Sequence, residues 1–445
     1  MVEAIIAAMY IDSGMDQARE FIMTRVLKDA RIDDNHRTAD YKTELQELVQ
    51  RRSNQHISYE LIGESGPDHC KTFTLRQRAS SRRGQRQNEE GSRAAGRRQS
   101  AGGDERVSAR ESIIPVFVPH LGCPNDCVFC NQRRISGAQE PAGVENVKNA
   151  IESAAALPRN GAKRQLAFYG GSFTAIPSCQ QEALLGAAKE YLDRGEIDAI
   201  RLSTRPDAID GAVLARLKRY GVETIELGAQ SLCDEILLLS GRGHTAEDVV
   251  SASKQIKAAG FRLILQMMTG LPGDSVERTV DTAKKIIALH PDGVRIYPTV
   301  IVRDTALYDL WQAGEYKEHT VADAVEYCAA IVPFFEAAGI PIIRLGLNPT
   351  DELSGGAAAG GAYHPALGEL VKSRLMLDKM RAVLNGVPAG SRVTLGVNKS
   401  RVSQAVGQHR GNVSRLTAEF GLKELKIRGI DAENDEISIV SIEKT

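Results

Sequence analysis

Short apolar runs alternate with amphipathic helical patterns through most of the second half of the chain. The apolar runs are Ile113–Val118, Gln165–Tyr169, Ala199–Ser203, Thr224–Leu227, Leu263–Met267 and Gly293–Tyr297. The helical patterns lie near residues 144–156, 180–192, 211–219, 246–259, 276–289 and 321–337. This alternation predicts parallel βα units. Six units in series predict an α/β fold, a partial (β/α)6 barrel whose site lies at the carboxyl ends of the strands.

Three cysteines follow the first predicted strand in a C-x3-C-x2-C pattern, as Cys123, Cys127 and Cys130. Thiolates at this spacing can ligate three irons of a [4Fe–4S] cluster and leave the fourth iron open to a small molecule. A structural zinc site is the alternative, with His120 as a fourth ligand, although such sites usually use paired C-x2-C sets. The remaining cysteines show no pattern, no signal peptide is recognisable and no apolar run is long enough for a membrane span. We therefore expect a reducing, cytoplasmic location and no membrane.

Polar and glycine-rich segments follow the next three predicted strands. Two glycines in Gly170-Gly171-Ser172 allow close backbone approach to a ligand. Ser203 and Arg205 offer a hydroxyl and a guanidinium for a carboxylate or a ribose. Gln230 is placed to hydrogen-bond ribose or adenine. Each segment alone is compatible with a plain loop, but together with the cysteines they predict one ring of polar groups.

Residues 111–445 resemble radical S-adenosylmethionine (SAM) proteins, most of all the branch that contains the catalytic subunit of Elongator and its bacterial relatives. The resemblance is carried by the cysteine run, Gly170–Thr174, Ser203–Asp207, Leu227–Ser231, Arg242–Thr245 and Gln266–Asp274. It implies that SAM is cleaved at a [4Fe–4S] cluster to give a 5′-deoxyadenosyl radical.

The resemblance also implies roles for single residues. It assigns the cluster to Cys123, Cys127 and Cys130. It assigns the SAM contacts to Gly170, Gly171, Ser172, Ser203, Arg205 and Gln230. No catalytic residue is assigned.

The implied substrate is RNA, with modification of a tRNA base as the reaction class, and the implied partner is an electron donor such as flavodoxin or ferredoxin. Members of this branch use acetyl-CoA to modify a tRNA uridine. The tail after Leu345 lacks the Arg/Gln-x-x-Gly-x-Gly/Ala loop that cradles a pyrophosphate, so acetyl-CoA use is doubtful. The segment Tyr363–Leu370 resembles bacterial relatives without an acetyltransferase domain. We expect it to cap the barrel mouth, with substrate contact by Tyr363 or His364 as the alternative.

The end of the tail, Ser400–Leu425, predicts two short helices. They can form an RNA contact similar to a helix–turn–helix or a pair that caps the barrel. Local basic residues are consistent with both readings: Lys399, Arg401, Arg410 and Arg415. The net charge of the whole chain is −1, so any basic surface has to be local.

The first part of the chain resembles a ribonuclease III fragment. Val2–Ala8 resembles the end of the catalytic domain, and Asp40–Glu47 resembles the first helix of a double-stranded-RNA-binding domain. The strands of that domain would be His56–Ile62 and Thr72–Leu75. Only Glu3 matches a metal-binding carboxylate of that family, and one carboxylate cannot hold a two-metal site. We therefore expect no nuclease activity.

Residues 76–110 hold ten arginines and no lysine, leucine, isoleucine or aromatic residue, which predicts disorder. An RNA-binding arm is one alternative. A frame shift is another, because residues 86–94, read one base later with suitable codons, resemble the last helix of the RNA-binding domain.

The predicted organisation therefore has five parts. They are a ribonuclease III remnant (1–35), a truncated α+β double-stranded-RNA-binding remnant (36–75), an arginine-rich linker (76–110), a radical SAM barrel (111–344) and a capping region (345–445). Two other functions stay open: a double-stranded-RNA-binding, ribonuclease III-like protein and a non-catalytic zinc-binding barrel.

Overall fold

The computed structural model describes residues 56–65, 72–80, 111–118, 123, 126–131, 142–159, 161–348, 350, 353–433 and 436–443. The chain divides into two units between Gly103 and Asp104. This division falls inside the predicted linker of residues 76–110.

Two antiparallel strands, β1 (His56–Ser65) and β2 (Thr72–Ser80), are described in the first unit. They contain the two strands that the sequence predicts there. Strand β2 continues to Ser80, so residues 76–80 of the predicted linker belong to a strand. The predicted segments Val2–Ala8 and Asp40–Glu47 lie outside the described residues, and so does the rest of the linker.

Seven parallel strands of the second unit form a curled half-barrel. They are β3 (Glu111–Phe117), β4 (Lys163–Tyr169), β5 (Ala199–Thr204), β6 (Val222–Gln230), β7 (Arg262–Thr269), β8 (Gly293–Pro298) and β10 (Ile342–Leu345). They lie side by side in this order, and each pair of neighbours is parallel. Strand β9 (Val300–Val302) pairs separately with β11 (Ala358–Gly361) in antiparallel fashion. The predicted fold class is confirmed.

Helices follow the strands as the alternation predicts. They are α1 (Val144–Ala155), α2 (Ser178–Asp193), α3 (Gly211–Arg219), α4 (Asp234–Leu239), α5 (Ala246–Ala258), α6 (Val276–Ala288), α7 (Ala306–Gln312) and α8 (Val321–Ala337). Side-chain oxygens of Asp210, Thr245, Ser275 and Thr320 accept hydrogen bonds from the first turns of α3, α5, α6 and α8. These caps satisfy backbone N–H groups that have no partner inside the helix.

The two faces of the half-barrel differ in character. Alternate residues such as Phe168, Leu202 and Leu227 are fully buried in the main hydrophobic core, to which the helices also contribute. Between them in the same strands, Arg201 and Glu226 are also buried, with exposed fractions of 1% and 0%. Because successive side chains in a strand point to opposite faces, the second face holds a polar interior.

The seventh strand, β10, is absent from the predicted barrel. It has four residues, pairs with β8 alone in the sheet, and its register with β8 is irregular between Ile342 and Arg344. All four residues are half-buried or exposed. Such a short edge strand lacks the continuous apolar run that identifies a buried parallel strand.

The tail forms a second, smaller layered structure. Its elements are α9 (Leu367–Leu384), β12 (Arg392–Asn398), α10 (Val402–Val406), α11 (Gly411–Glu419), β13 (Glu424–Ile430) and β14 (Ile437–Glu443). Strand β12 is central, parallel to β13 and antiparallel to β14. A core that includes Met380, Leu395 and Leu416 joins this sheet to its helices. The two predicted short helices are confirmed as α10 and α11.

Helix α9 links the tail to the barrel. Arg374 Nε of α9 donates to Glu326 Oε1 of α8 at 2.7 Å. In the described part of the chain, no helix has both the length and the apolar character required to cross a bilayer.

Candidate functional site

Every predicted SAM-contacting residue lies at the carboxyl end of a strand. Gly170-Gly171-Ser172 follows β4, Ser203 is the penultimate residue of β5 with Arg205 just after it, and Gln230 ends β6. Because β4, β5 and β6 are parallel neighbours, these residues share one edge of the sheet. This is the edge at which ligands bind in parallel α/β folds.

The cysteine loop is held by backbone contacts at both sides. Val128 N donates to the Ser240 carbonyl at 3.1 Å, and Leu307 N donates to the Val128 carbonyl at 2.7 Å. Gly241 has φ +64°, and a Cβ there would lie 3.2 Å from the Asp126 carbonyl oxygen. The loop therefore rests on the turn after α4 and on the first residues of α7.

Arg242 is a site residue to which the sequence reasoning gave no role of its own. Its Nη1 donates to the Cys127 sulfur at 3.2 Å, and its Nη2 donates to the Gly228 carbonyl at 2.8 Å. The Arg242 carbonyl accepts from Arg205 Nη2 at 2.7 Å. A single guanidinium thus joins the cysteine loop to the end of β6. The motif Arg242–Thr245 was the only available signal, because these contacts join residues that lie far apart in sequence.

The groups around the Cys123 sulfur shift the pKa of its thiol in opposite directions. Burial raises the pKa of this thiol, whereas the Ser172 backbone N–H lowers the same pKa. The neighbouring Cys127 raises it, and the guanidinium groups of Arg205 and Arg242 lower it. Burial outweighs the other effects, so the pKa of the Cys123 thiol is raised, and the two guanidinium groups oppose this rise.

The three thiols fit the donor set of a cluster but do not converge in the structure. Over the described ranges, no three His, Cys, Asp or Glu side chains already form a metal-binding group. Cys127 is buried and Cys130 is half-buried, and Cys130 N donates to the Cys127 carbonyl at 2.9 Å. Three thiols on one loop, with N–H donors directed at two of their sulfurs, match the chemistry of an iron–sulfur site. His120, the fourth ligand of the zinc alternative, lies outside the described residues.

Ser172 and Arg205 already have partners in the structure. Ser172 is 1% exposed, its Oγ lies 3.1 Å from Thr204 Oγ1, and it accepts from Arg205 N at 3.2 Å. The Arg205 guanidinium makes two hydrogen bonds to the Asp207 carboxylate, at 2.9 and 3.0 Å. These side chains fix two neighbouring loops to each other. Their predicted SAM contacts remain predictions.

Gln230 has the strongest features of a ligand-contacting residue. Its φ is +63°, a left-handed conformation that is uncommon for residues other than glycine. The side chain is 9% exposed, and its Oε1 has no hydrogen-bond partner within the described residues. A Cβ at Gly228 would lie 3.2 Å from Gln230 Nε2 and 3.3 Å from Arg242 Nη2. Any side chain larger than that of glycine at position 228 would crowd both groups. We call the space bordered by Gly228, Gln230 and Arg242 the cradle, and its polar lining fits a polar cofactor.

His244 lies next to this cradle. Its Nε2 is 3.3 Å from the Ala229 carbonyl oxygen, and its Nδ1 lacks a partner among the described residues. Burial and, to a smaller extent, the nearby Arg242 guanidinium lower the pKa of His244 to about 4. His244 is therefore neutral at pH 7.

We expect the stability of the second unit to fall as the pH drops from about 6.5 to about 4. In the unfolded chain His244 gains its proton near pH 6.5, whereas in the folded state it resists protonation down to about pH 4. The unfolded state binds more protons over this window, so acid favours unfolding by about 3 kcal/mol at most for this group. Burial lowers the pKa of His319 to about 4 in the same way.

Urea unfolding at several pH values measures this loss. The variant His244→Gln should lose about half as much stability over the window as the wild type, because His319 still contributes. The exposed His290→Asn is the matched control and should follow the wild-type curve. An unchanged slope in His244→Gln would contradict the assignment.

The polar interior lies below the strand ends and is organised around Glu226. This carboxylate forms ion pairs with Arg201 Nε at 3.1 Å and Arg295 Nε at 2.8 Å. It also accepts from the Tyr169 hydroxyl at 2.8 Å and from Gln266 Nε2 at 3.0 Å. Since Tyr169 directly precedes Gly170, the network fixes the strand end that carries the glycine loop.

Tyr363 and His364 have structural contacts. His364 Nδ1 accepts from Ala366 N at 3.1 Å, just before α9. Tyr363 packs against a small apolar cluster that includes Val300 and Leu353. These contacts fit the capping role that the sequence analysis preferred.

The model of the Radical SAM superfamily matches residues 117–286. We call this matched stretch the radical SAM segment. The model of the Radical SAM C-terminal domain matches the following residues, 291–376. Within the radical SAM segment lie all three cysteines of the run and all six predicted SAM-contacting residues.

Named relatives of the radical SAM segment belong to the Elongator type. Elongator complex protein 3 of Homo sapiens is 30% identical over 274 residues, which cover 51% of this chain and 50% of that protein. The tRNA uridine(34) acetyltransferase of Methanocaldococcus jannaschii is 34% identical over 272 residues, with 51% and 50% covered. The chain thus spans about half the length of these relatives. These matches support an enzyme. The ribonuclease III resemblance has no counterpart in them.

One solved structure that resembles the chain is the archaeal Methanocaldococcus infernus Elp3 with an N-terminal deletion. It is 23% identical, with a TM-score of 0.49, and the match covers 61% of this chain and 64% of that one.

Proposed function

We propose that residues 111–445 form a radical SAM enzyme that acts on RNA, with a tRNA uridine as the substrate class. Cys123, Cys127 and Cys130 would hold a [4Fe–4S] cluster, and an electron donor such as flavodoxin or ferredoxin would reduce it. When bound, cluster and SAM together supply a one-electron cleavage that yields a 5′-deoxyadenosyl radical. Acetyl-CoA is not part of the proposal.

This proposal is supported mainly by the contact between the cysteine loop and the residues at the strand ends. Arg242 donates to the Cys127 sulfur and to the Gly228 carbonyl, so the loop and the cradle around Gln230 are held together. Gly170 has φ +92° and lies two residues before the buried Ser172, whose N–H faces the Cys123 sulfur. Backbone groups of this turn are thus available to a methionyl amino or carboxylate group near the cluster.

Gln230 would form a hydrogen bond with the nucleoside part of SAM. Its side chain is buried, and its Oε1 has no partner within the described residues. An unpaired buried polar atom costs free energy that a ligand can recover. The neutral His244 beside it can likewise accept a hydrogen bond at Nδ1 without adding positive charge near the sulfonium.

The RNA part of the proposal is supported by the similarity to a protein named as a tRNA uridine(34) acetyltransferase. We expect transfer RNA to raise the rate of 5′-deoxyadenosine formation by the reduced, cluster-loaded protein, because substrate binding closes the site and excludes water. The rate should be compared with and without tRNA, with an equal mass of single-stranded DNA as control. Equal rates in all three samples, together with unchanged tRNA nucleosides by mass spectrometry, would refute RNA as the substrate.

A further inference from the structure

The end of the tail carries a strong local positive charge. Residues 399–430 contain seven lysines and arginines and two glutamates, a net charge of +5 in a chain whose total is −1. The basic residues are Lys399, Arg401, Arg410, Arg415, Lys423, Lys426 and Arg428. This local excess of positive charge on a chain of nearly neutral net charge indicates a polyanionic partner.

Two of the basic side chains form ion pairs with described residues. Lys399 pairs with Asp431 at 2.6 Å, and Lys426 pairs with Glu424 at 3.1 Å. Arg410, Arg415 and Arg428 are exposed. Arg415 lies within electrostatic reach of Glu419 and lowers the pKa of that carboxyl, whereas Arg410 and Arg428 form no ion pair with a described residue. The guanidinium groups of Arg410 and Arg428 are therefore available to phosphates.

The basic residues sit on a βααβ unit, in which α10 and α11 connect the parallel neighbours β12 and β13. The loop between the two helices, Gly407-Gln408-His409-Arg410, exposes its last three residues. KH modules bind RNA through a GxxG loop that clamps about four backbone nucleotides. This loop has an arginine at the fourth position, but Arg410 adopts φ +60°, the left-handed conformation that glycine favours.

The loop is held rigidly. Gly407 has φ +75°, and a Cβ there would lie 3.0 Å from Asn412 N. Asn412 is 9% exposed, and its Nδ2 donates to the carbonyls of Ser373 on α9 and Gln404 on α10 at 3.0 and 3.1 Å. A binding loop that is ordered before its ligand arrives loses little entropy on binding.

Strand β13 is an edge strand of the tail sheet. Among the described strands it pairs with β12 alone. Gly429 brings it close to Lys399 and to α10, because a Cβ there would lie 3.2 Å from Lys399 Cγ and 3.3 Å from Val402 Cγ2. Unpaired N–H and C=O groups of an edge strand can bind the edges of unstacked bases. Paired bases in a duplex do not expose those edges in this way, so the surface favours a single strand.

We propose that residues 399–430 bind single-stranded RNA, with the phosphate backbone on the Gly407–Arg410 loop and the bases toward β13. The inference deepens the proposed function and rests on its RNA substrate class, since it assigns where an unpaired segment of that RNA is held.

The test uses the full chain and a short, fluorescein-labelled single-stranded RNA of mixed sequence. The double variant His409→Asp/Arg410→Asn removes one positive charge and adds one negative charge, and Asp and Asn both tolerate left-handed backbone. By fluorescence anisotropy its affinity should fall about tenfold, and the slope of log K against log salt should become shallower by about 1. The matched control is Lys254→Glu on the exposed face of α5, which changes the charge by the same amount and should alter the affinity by less than about twofold.

Three results would overturn the proposal. They are equal affinity of the double variant and the wild type, an equal loss in Lys254→Glu, and binding of the annealed duplex as tight as that of the single strand. The same samples are also assayed for 5′-deoxyadenosine in the absence of RNA. This assay tests SAM cleavage independently of RNA binding by residues 399–430. A wild type that binds RNA but never cleaves SAM would refute the enzyme and leave the binding site standing.

Discussion

The variant Cys127→Ala is expected to lose its iron–sulfur cluster and, with it, all SAM cleavage. Cys127 is 9% exposed and accepts a hydrogen bond from Arg242 at 3.2 Å. Its removal takes away one of three ligands and leaves the buried Arg242 N–H without its sulfur acceptor, which costs about 1–3 kcal/mol. Iron and sulfide content after anaerobic reconstitution, and the electron paramagnetic resonance signal of the reduced protein, should both fall to background.

The matched control for this experiment is Cys179→Ala. Cys179 is exposed near the start of α2 and does not belong to the cysteine run. This variant should keep the wild-type iron content and the wild-type rate. Full iron content in Cys127→Ala would contradict the assigned ligand set, and loss of the cluster in both variants would point to a general folding defect.

The variant Glu226→Gln is expected to destabilise the second unit by about 3–5 kcal/mol, because it leaves buried guanidinium groups without their counter-charge. Glu226 is fully buried and forms ion pairs with Arg201 and Arg295. Arg201 retains Glu111 at 3.1 Å, but Arg295 has no other carboxylate partner within the described residues. Urea unfolding followed by fluorescence of Trp311, the single tryptophan, measures the change.

The matched control is Glu223→Gln on the same strand. Glu223 is about one-third exposed and pairs with Lys163 at 2.7 Å and Arg262 at 3.8 Å. Exposed ion pairs contribute about 0–1 kcal/mol, so this variant should unfold nearly as the wild type does. If the two variants lost the same small amount of stability, Glu226 would not organise the barrel interior.

The regular part of the fold is predictable from the sequence because each βα unit carries its own local signal. The six predicted strands and six predicted helices match β3–β8 and the main helices to within a few residues. The edge strand β10 is missed because four half-exposed residues produce no periodic pattern. The βααβ arrangement of the tail is also missed, since the pairing of β12 with β13 depends on contacts between residues far apart in sequence.

In the candidate site, too, the sequence identifies some residues and misses others. The cysteines and the strand-end residues are recognisable from their spacing and their position after apolar runs. Arg242 and Glu226 are not, because their roles follow from partners that lie more than 50 residues away: Cys127 for one, and Tyr169 and Arg295 for the other. Short-range patterns identify the residues that a loop presents, whereas the side chains that hold those loops together become evident only in the folded structure.

The most direct test of the central claim is the formation of 5′-deoxyadenosine by the full chain. The protein is reconstituted with iron and sulfide without oxygen, reduced with dithionite and supplied with SAM, with and without tRNA, and the products are separated by chromatography. We expect 5′-deoxyadenosine in the wild type and in Cys179→Ala, and none in Cys127→Ala. Protein with a verified cluster that forms no 5′-deoxyadenosine in either the presence or the absence of tRNA would contradict it.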